Sequence, residues 1–280
     1  MLKFLELDHI AINVKDKMDK AYSLFSEIGF QLSPRGYHSL GSINHSMVFE
    51  NNYLELIGHP KGEPIKRPEL KNADIGINGL VFKSNNVENT YNHLLSINYN
   101  AAPPRKFDRP VLIKEIEQKA VFETVSVNAN VFKAGRVYFC NHITPQFVWL
   151  SSYQNHENYA SDIKEISIID KNPEDIKDRI QKISDVNVVQ IDNKHLLIET
   201  KDITIRVLDI KNFKEYFRIL GDEIILRESM YGSLKLQLKS LDFIRKMNTK
   251  KIKNLSKIEI GDKVQLLLKD YNLILEFEEL

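Results

Sequence analysis

The chain has 280 residues, with 39 Lys and Arg against 38 Asp and Glu for a formal net charge of +1, and is 42% hydrophobic and 28% charged. That balance excludes a disordered chain and the broad basic field of a generic nucleic-acid binder, and at typical domain sizes of roughly 100–200 residues it leaves one large domain or two small ones. No apolar run reaches the roughly 18–20 residues of a membrane span, Glu6 and Asp8 interrupt the first apolar stretch so that no cleaved leader is expected, and the lone Cys140 rules out an intrachain disulfide and points to a reducing, cytoplasmic home.

The first element is LDHIAINV, where Ile10, Ile12 and Val14 alternate with His9, Ala11 and Asn13 at the period of a strand. KDKMDKAYSLFSEIGF follows, with Met18, Ala21, Tyr22, Leu24, Phe25 and Ile28 at helical spacing and Gly29 as the C-terminal cap. HSMVFE and NYLELIG read as strands joined at Asn51-Asn52, and with the polar loop before them the first unit is read as β-α-β-β-β over about 60 residues. The strand-helix pair recurs at an offset of 69 in NGLVFKSNNVENTYNHLLSINY, which sets Ile12 over Val81, Tyr22 over Tyr91, Phe25 over Leu94 and Phe30 over Tyr99. Its later strands are predicted as AVFETVSV, RVYFCNH and QFVWLS. A third copy opens at EISIIDKNPEDIKDRIQKI, with Pro173 suited to a first helical turn. A fourth opens at SLKLQLKSLDFIRKMNTKKI and closes in LILEFEEL. An internal period near 70 residues implies four modules in two domains, 1–157 and 158–280, with the seam in the polar stretch SSYQNHENYASD. Residues 59–74 read as a linker and residues 103–120 as an irregular insertion, the kind of loop on which binding groups gather.

Strand parity selects the residues that carry chemistry. If Ile10, Ile12 and Val14 cover the helix, together with Leu54 and Leu56, then His9 and Glu55 share the opposite face. A carboxylate inside an apolar strand is costly unless it is paired, hydrogen-bonded or metal-bound, and an imidazole beside it makes a good ligand pair for a divalent ion. Arg35, Arg105 and Arg136 are candidates for bidentate recognition of a substrate carboxylate or phosphate. Cys140 and His142 stand two apart, but a buried, inert thiol is the preferred reading over a nucleophile. The chain has no P-loop, no GxGxxG after a strand, no GxSxG and no CxxC, which argues against nucleotide hydrolysis, dinucleotide oxidoreduction, α/β-hydrolase chemistry and zinc-finger binding.

LDHIAINVKD, PRGYHSLGSINH, NYLELIG and FCNHITPQFVW together resemble the glyoxalase-like proteins of the vicinal oxygen chelate superfamily, over most of residues 5–157. The resemblance implies an α+β fold: four βαβββ modules paired into two cup-shaped domains. It also implies a divalent metal (Fe, Mn, Ni or Zn) held by side chains of the first and last strand of each module, where it polarises adjacent substrate oxygens. Carried over, these positions are His9 and Glu55 in module one, with Glu55 also the candidate general base. In module two the matching positions hold Asn78 and Trp149, so His142 is the nearest third ligand and His45, in parity with Met47 and Phe49, the second choice. His38, His45, Arg35, Phe49 and Trp149 are the candidate substrate contacts.

In the second half Glu165 matches His9 and Glu276 matches Glu55, with Ser233 in the fourth module. No histidine accompanies them, so no second metal centre is expected. This half reads as a degenerate pair that covers the first or dimerises with it, which makes a homodimer the candidate assembly. The implied function is a metal-dependent enzyme, of lyase, isomerase or dioxygenase type, acting on a small oxygenated molecule. No nucleic-acid or membrane partner is expected. The rivals are a non-catalytic binder that sequesters an aromatic compound on Phe49, Phe147 and Trp149, and a structural partner protein with a filled cup.

Overall fold

The computed structural model describes residue 2 and residues 4–280. Module one runs β1 (Leu7–Lys15), α1 (Met18–Glu27), β2 (Gly36–Tyr37), β3 (Ile43–Val48) and β4 (Tyr53–Gly58). A short α2 (Pro68–Lys71) lies in the link to module two, which runs β5 (Gly76–Lys83), α3 (Val87–Ser96), β6 (Arg105–Ile113), β7 (Ile116–Ser126) and β8 (Arg136–His142). Module three is β9 (Ala160–Asp170), α4 (Pro173–Ile183), β10 (Asn187–Asp192), β11 (His195–Glu199) and β12 (Thr204–Leu208). After α5 (Ile210–Phe217) and α6 (Ile219–Glu223), module four is β13 (Ser229–Leu238), α7 (Asp242–Lys246), β14 (Leu255–Ile260), β15 (Lys263–Leu268) and β16 (Leu273–Glu279). Among the described residues no helix is long and apolar enough to cross a bilayer.

The strands form two eight-stranded sheets of matching order, β2-β3-β4-β1-β5-β8-β7-β6 and β10-β11-β12-β9-β13-β16-β15-β14. In each, the first strands of two modules lie antiparallel at the centre, and each runs parallel to the closing strand of its own module. Parallel pairing needs a crossover, and the module helix supplies it. Local chemistry sets the helix ends. Asn86 Oδ1 accepts from Asn89 N at 2.9 Å to cap α3, Pro173 opens α4, and Gly29, at φ +88°, ends α1 in a conformation that a Cβ disfavours.

The helix-side faces of both sheets belong to one core. Ile10, Ile12, Leu54 and Leu56 of the first sheet share it with Phe25 of α1 and with Ile166, Ile168, Leu234 and Leu236 of the second. Each such side chain contributes about 1.5–3 kcal/mol when fully buried. Phe25 meets Tyr271 at 6.2 Å and Phe30 meets Phe277 at 6.5 Å, ring centre to ring centre. The two concave faces therefore point away from each other.

Two segments differ from the sequence reading. Residues 103–120 are no irregular insertion but most of the β6–β7 hairpin, closed by Lys114 and Glu115, both at positive φ. That two-residue turn normally advertises itself as Asn-Gly, and Pro110 stands in β6, the sheet edge, where a proline needs no ladder partner. QFVWLS forms no strand: Pro145–Phe147 is a turn of 3-10 helix, so RVYFCNH is the closing strand of module two. Within the polar stretch 151–162, read as the seam, His156 and Asn158 are buried.

His156 pins that stretch to module one. Its Nδ1 accepts from Gln31 N at 2.9 Å and its Nε2–H donates to Val48 O at 3.0 Å, which fixes a neutral tautomer. Burial pushes its pKa down to about 4, against the opposing bond to Val48. A folded value below the unfolded one of about 6.5 means this stability is whole above that pH and lost as pH falls through about 4, on the order of 3 kcal/mol in all. His156→Gln keeps a donor and an acceptor but takes up no proton, so urea unfolding followed between about pH 7 and 4 should show a flatter acid limb; superimposable limbs would refute the assignment.

Candidate functional site

The concave face of the first sheet encloses a cavity of about 300 Å³, at the small end of ligand sites. Parity puts His9 on this face of β1, Glu55 on β4, and Asn44 and Ser46 on β3, because Ser46 pairs with Glu55 and Asn44 with Ile57. His9 stacks on Tyr53 with ring centres 4.4 Å apart, and its Nε2 lies 3.8 Å from Glu55 Oε2. The other carboxylate oxygen, Oε1, accepts from Asn44 Nδ2 at 2.8 Å and lies 3.9 Å from His38 Nε2. His38 follows β2 in a tight loop closed by Gly41 at φ +86°, and its Nδ1 is tied to Ser42 Oγ at 2.9 Å. Phe107 and Phe122, stacked at 5.2 Å, wall the cavity beside it.

Asp8 is the residue that sequence reading missed. The register of β1 against β5 skips between Leu7 and His9, so Asp8 sits on a bulge. Its Oδ1 accepts from His9 Nδ1 at 2.5 Å and from His142 Nε2 at 3.0 Å. Burial raises the Asp8 pKa, but the two imidazoles, His142 most, outweigh it and hold the carboxyl far below the usual carboxylate range. With its Nδ1 proton on Asp8, His9 presents an Nε2 lone pair to the cavity, where the Tyr138 hydroxyl donates to it at 3.1 Å. Burial likewise raises Glu55, and His9, His38 and Asn44 together bring it below its ordinary value. Burial drives His38 down to about 4, helped by Arg109 and Arg67, so it is neutral near pH 7.

Several sequence-predicted residues lie elsewhere. His45 faces the helix side, since its partner across the ladder is Leu56 and antiparallel partners share a face. Its Nδ1–H donates to Ser33 O at 2.7 Å and its Nε2 accepts from Arg35 Nε at 3.4 Å, with Tyr22 packed at 4.8 Å. Arg35 is engaged there and with Asp19, outside the cup. Phe49 is buried in the common core against His156. His142 ends β8 and points at Asp8, so it does not join His9 and Glu55 at the cavity; the second imidazole facing Glu55 is that of His38. Trp149 lies after the 3-10 turn, 4.7 Å from the His142 ring, and β8 instead turns Arg136, Tyr138 and Cys140 into the cup. Asn78 falls where the β1–β5 register skips and accepts from Arg136 Nε at 2.7 Å, so it orients an arginine.

Among the described residues one set of three donors converges, and a looser one lines the cup. Asp8, Cys140 and His142 bring one ligand atom each within 4.8 Å of one another, but that carboxylate already serves two imidazoles and burial keeps the thiol protonated. In the cup, His9 and His38 each show Nε2 to Glu55 while the far ring nitrogen is anchored, the arrangement typical of metal-ligating histidines. The 3.8 and 3.9 Å separations run to different oxygens of Glu55, a looser set of donors than Asp8, Cys140 and His142, so a divalent ion there would have to draw the two imidazoles onto the carboxylate.

The second cup is filled. Helices α5 and α6 lay Phe213, Phe217 and Leu220 on Ile169, Leu208 and Ile274 of its concave face. The rest is an ionic network: Arg206 binds Glu165 through two bonds of 2.6 and 2.8 Å, and Lys235 stands 3.4 Å from Glu276 and 3.7 Å from Glu165. Ser233 hydrogen-bonds Ser167 at 2.8 Å. Glu165 and Glu276 are thus both matched by cations of the chain itself.

The glyoxalase-like domain family matches residues 7–183. Among solved structures, a hypothetical protein from Staphylococcus aureus is similar at 17% identity and TM-score 0.69, covering 99% of this chain and 100% of that one. A mutant of 4-hydroxymandelate synthase from Streptomyces coelicolor is similar at 9% identity and TM-score 0.54, covering 99% of this chain and 93% of that one. A xylose isomerase-like TIM barrel/4-hydroxyphenylpyruvate dioxygenase fusion protein shares 8% identity at TM-score 0.60, over 99% of this chain and 48% of the fusion. No curated protein matches the chain. At such identities the structures speak for the fold alone, and the family match over residues 7–183 places the chain in the glyoxalase-like domain family.

Proposed function

We propose that the chain is a metal-dependent enzyme whose open cup binds a small oxygenated organic molecule through adjacent oxygens, with His9, Glu55 and His38 as the residues that hold the cation. The observation that carries this reading is the buried Glu55 carboxylate, met on one oxygen by His9 and on the other by His38. A divalent ion bound there supplies Lewis-acid stabilisation of negative charge on a substrate oxygen. The chain supplies the rest. Asp8 and Ser42 orient the two imidazoles, and Asn44 holds one oxygen of Glu55. Glu55, ionised near pH 7, is the group able to accept a substrate proton, and the Tyr138 hydroxyl, whose pKa burial pushes up, serves as a hydrogen-bond donor beside His9. Tyr53, Phe107 and Phe122 exclude water from one wall.

A thermal-shift series on chelator-stripped protein with Mn, Fe, Ni and Zn tests this. At about 100 times its Kd a specific ion adds about 2.7 kcal/mol of stability. No stabilisation by any of the four ions, with tight binding of a neutral aromatic compound instead, would replace this reading with a sequestering binder.

A further inference from the structure

The open cup holds more positive charge than it neutralises. Arg67, Arg105, Arg109 and Arg136 line it, against the carboxylates of Glu55 and Glu69 alone. Arg67 is committed to Glu69 at 2.8 Å and to Ser42. Among the described residues, Arg109 and Arg136 have no carboxylate partner. Arg109 is only 7% exposed and its buried Nε has no hydrogen-bond partner. Arg136 is oriented by Asn78 and lies over the Tyr138 ring at 5.3 Å, yet its buried Nη2 is also unpartnered.

The scaffold makes room for this arrangement. A Cβ on Gly36 would stand 3.0 Å from Arg109 Cδ and 2.2 Å from Asn44 Oδ1, so the missing side chain lets both residues reach the cup. Both arginines adjoin the reacting groups. Tyr138, under Arg136, is the residue that bonds His9, and Asn44, beside Arg109, is the residue that holds Glu55. A desolvated guanidinium nitrogen without a partner is costly to keep, and two arginines in this state lining one cavity are completed by a ligand that brings negative charge.

We propose that the substrate of this cup is a small organic oxyanion, whose negatively charged groups, carboxylate or phosphate, answer Arg109 and Arg136 while its neighbouring oxygens face His9 and Glu55. The proposal deepens the functional reading above and rests on the same cup being the site, but it does not require the metal.

Binding is measured by calorimetry and thermal shift on full-length, chelator-treated protein, with malonate, inorganic phosphate and the neutral isostere malonamide as probes. Malonate or phosphate should bind saturably, more weakly as salt rises, and malonamide should not bind. Malonate alone identifies a carboxylate, and phosphate alone a phosphate ester. Arg109→Gln and Arg136→Gln should each weaken anion binding about tenfold or more. Arg109→Met removes an unpaired buried cation, so its free form should melt no lower than the parent, whereas an arginine with a purely structural role would lower the melting point. Metal titration of the same variants keeps the two readings apart: metal binding should persist in them, and anion binding without any metal binding would sink the metal assignment alone. The proposal falls if malonamide binds as well as malonate, if neither anion binds at millimolar concentration, or if both Gln variants bind anions like the parent.

Discussion

Glu55→Gln should abolish the metal-linked rise in melting temperature while leaving the metal-free protein folded. The change is nearly isosteric and removes the one carboxylate shared by His9 and His38, so affinity should fall by at least about 100-fold. His9→Ala should do the same. Asp8→Asn acts only through the imidazole it orients and should cost about 10–100-fold. His142→Gln, one step further out on the far side of Asp8, should cost less than either. Isothermal titration with Zn or Mn ranks the four. If His142→Gln proves as damaging as Glu55→Gln, the cation sits with Asp8, Cys140 and His142 and the cup assignment is wrong.

Lys235→Met should lower stability by about 3 kcal/mol, roughly 6–12 °C in melting temperature, with metal-linked stabilisation untouched. Lys235 stands among Glu165, Glu276 and Glu278, and removing it leaves Glu276, only 2% exposed, with a weaker set of partners. A buried charge stripped of its partner is penalised far more than a pair removed together. The double variant Lys235→Met/Glu276→Leu should therefore recover most of the loss. Denaturant unfolding of the three proteins checks this, and a single variant within about 1 kcal/mol of the parent would show that the network contributes little.

The fold was largely legible because its signals are local. The alternation of Ile10, Ile12 and Val14 and the helical spacing of Ala21 and Phe25 depend on near neighbours, and four repetitions of the unit left little choice of architecture. The placement of His9 and Glu55 on one face followed from the same arithmetic. The other candidates strayed for identifiable reasons. Parity says which residues of a strand share a side, and the partner strand says which side that is; His45 was drawn to the cup until its pairing with Leu56 put it under the helix. Asp8 lies on a bulge, which breaks alternation where it matters most. The hairpin turn at Lys114-Glu115 carries no glycine or asparagine to announce it.

What the amino-acid order alone determined was the modular α+β plan and the pair His9 and Glu55, since hydrophobic period and strand parity are properties of short segments. Only the tertiary structure decided the rest. His38, Arg109 and Tyr138 arrive at the cup from a loop, an edge strand and a closing strand far apart in the chain. Helices α5 and α6 fill one cup and leave the other open. Such convergence is set by which sheet faces pack together and where register slips, and neither is written in any window of neighbouring residues.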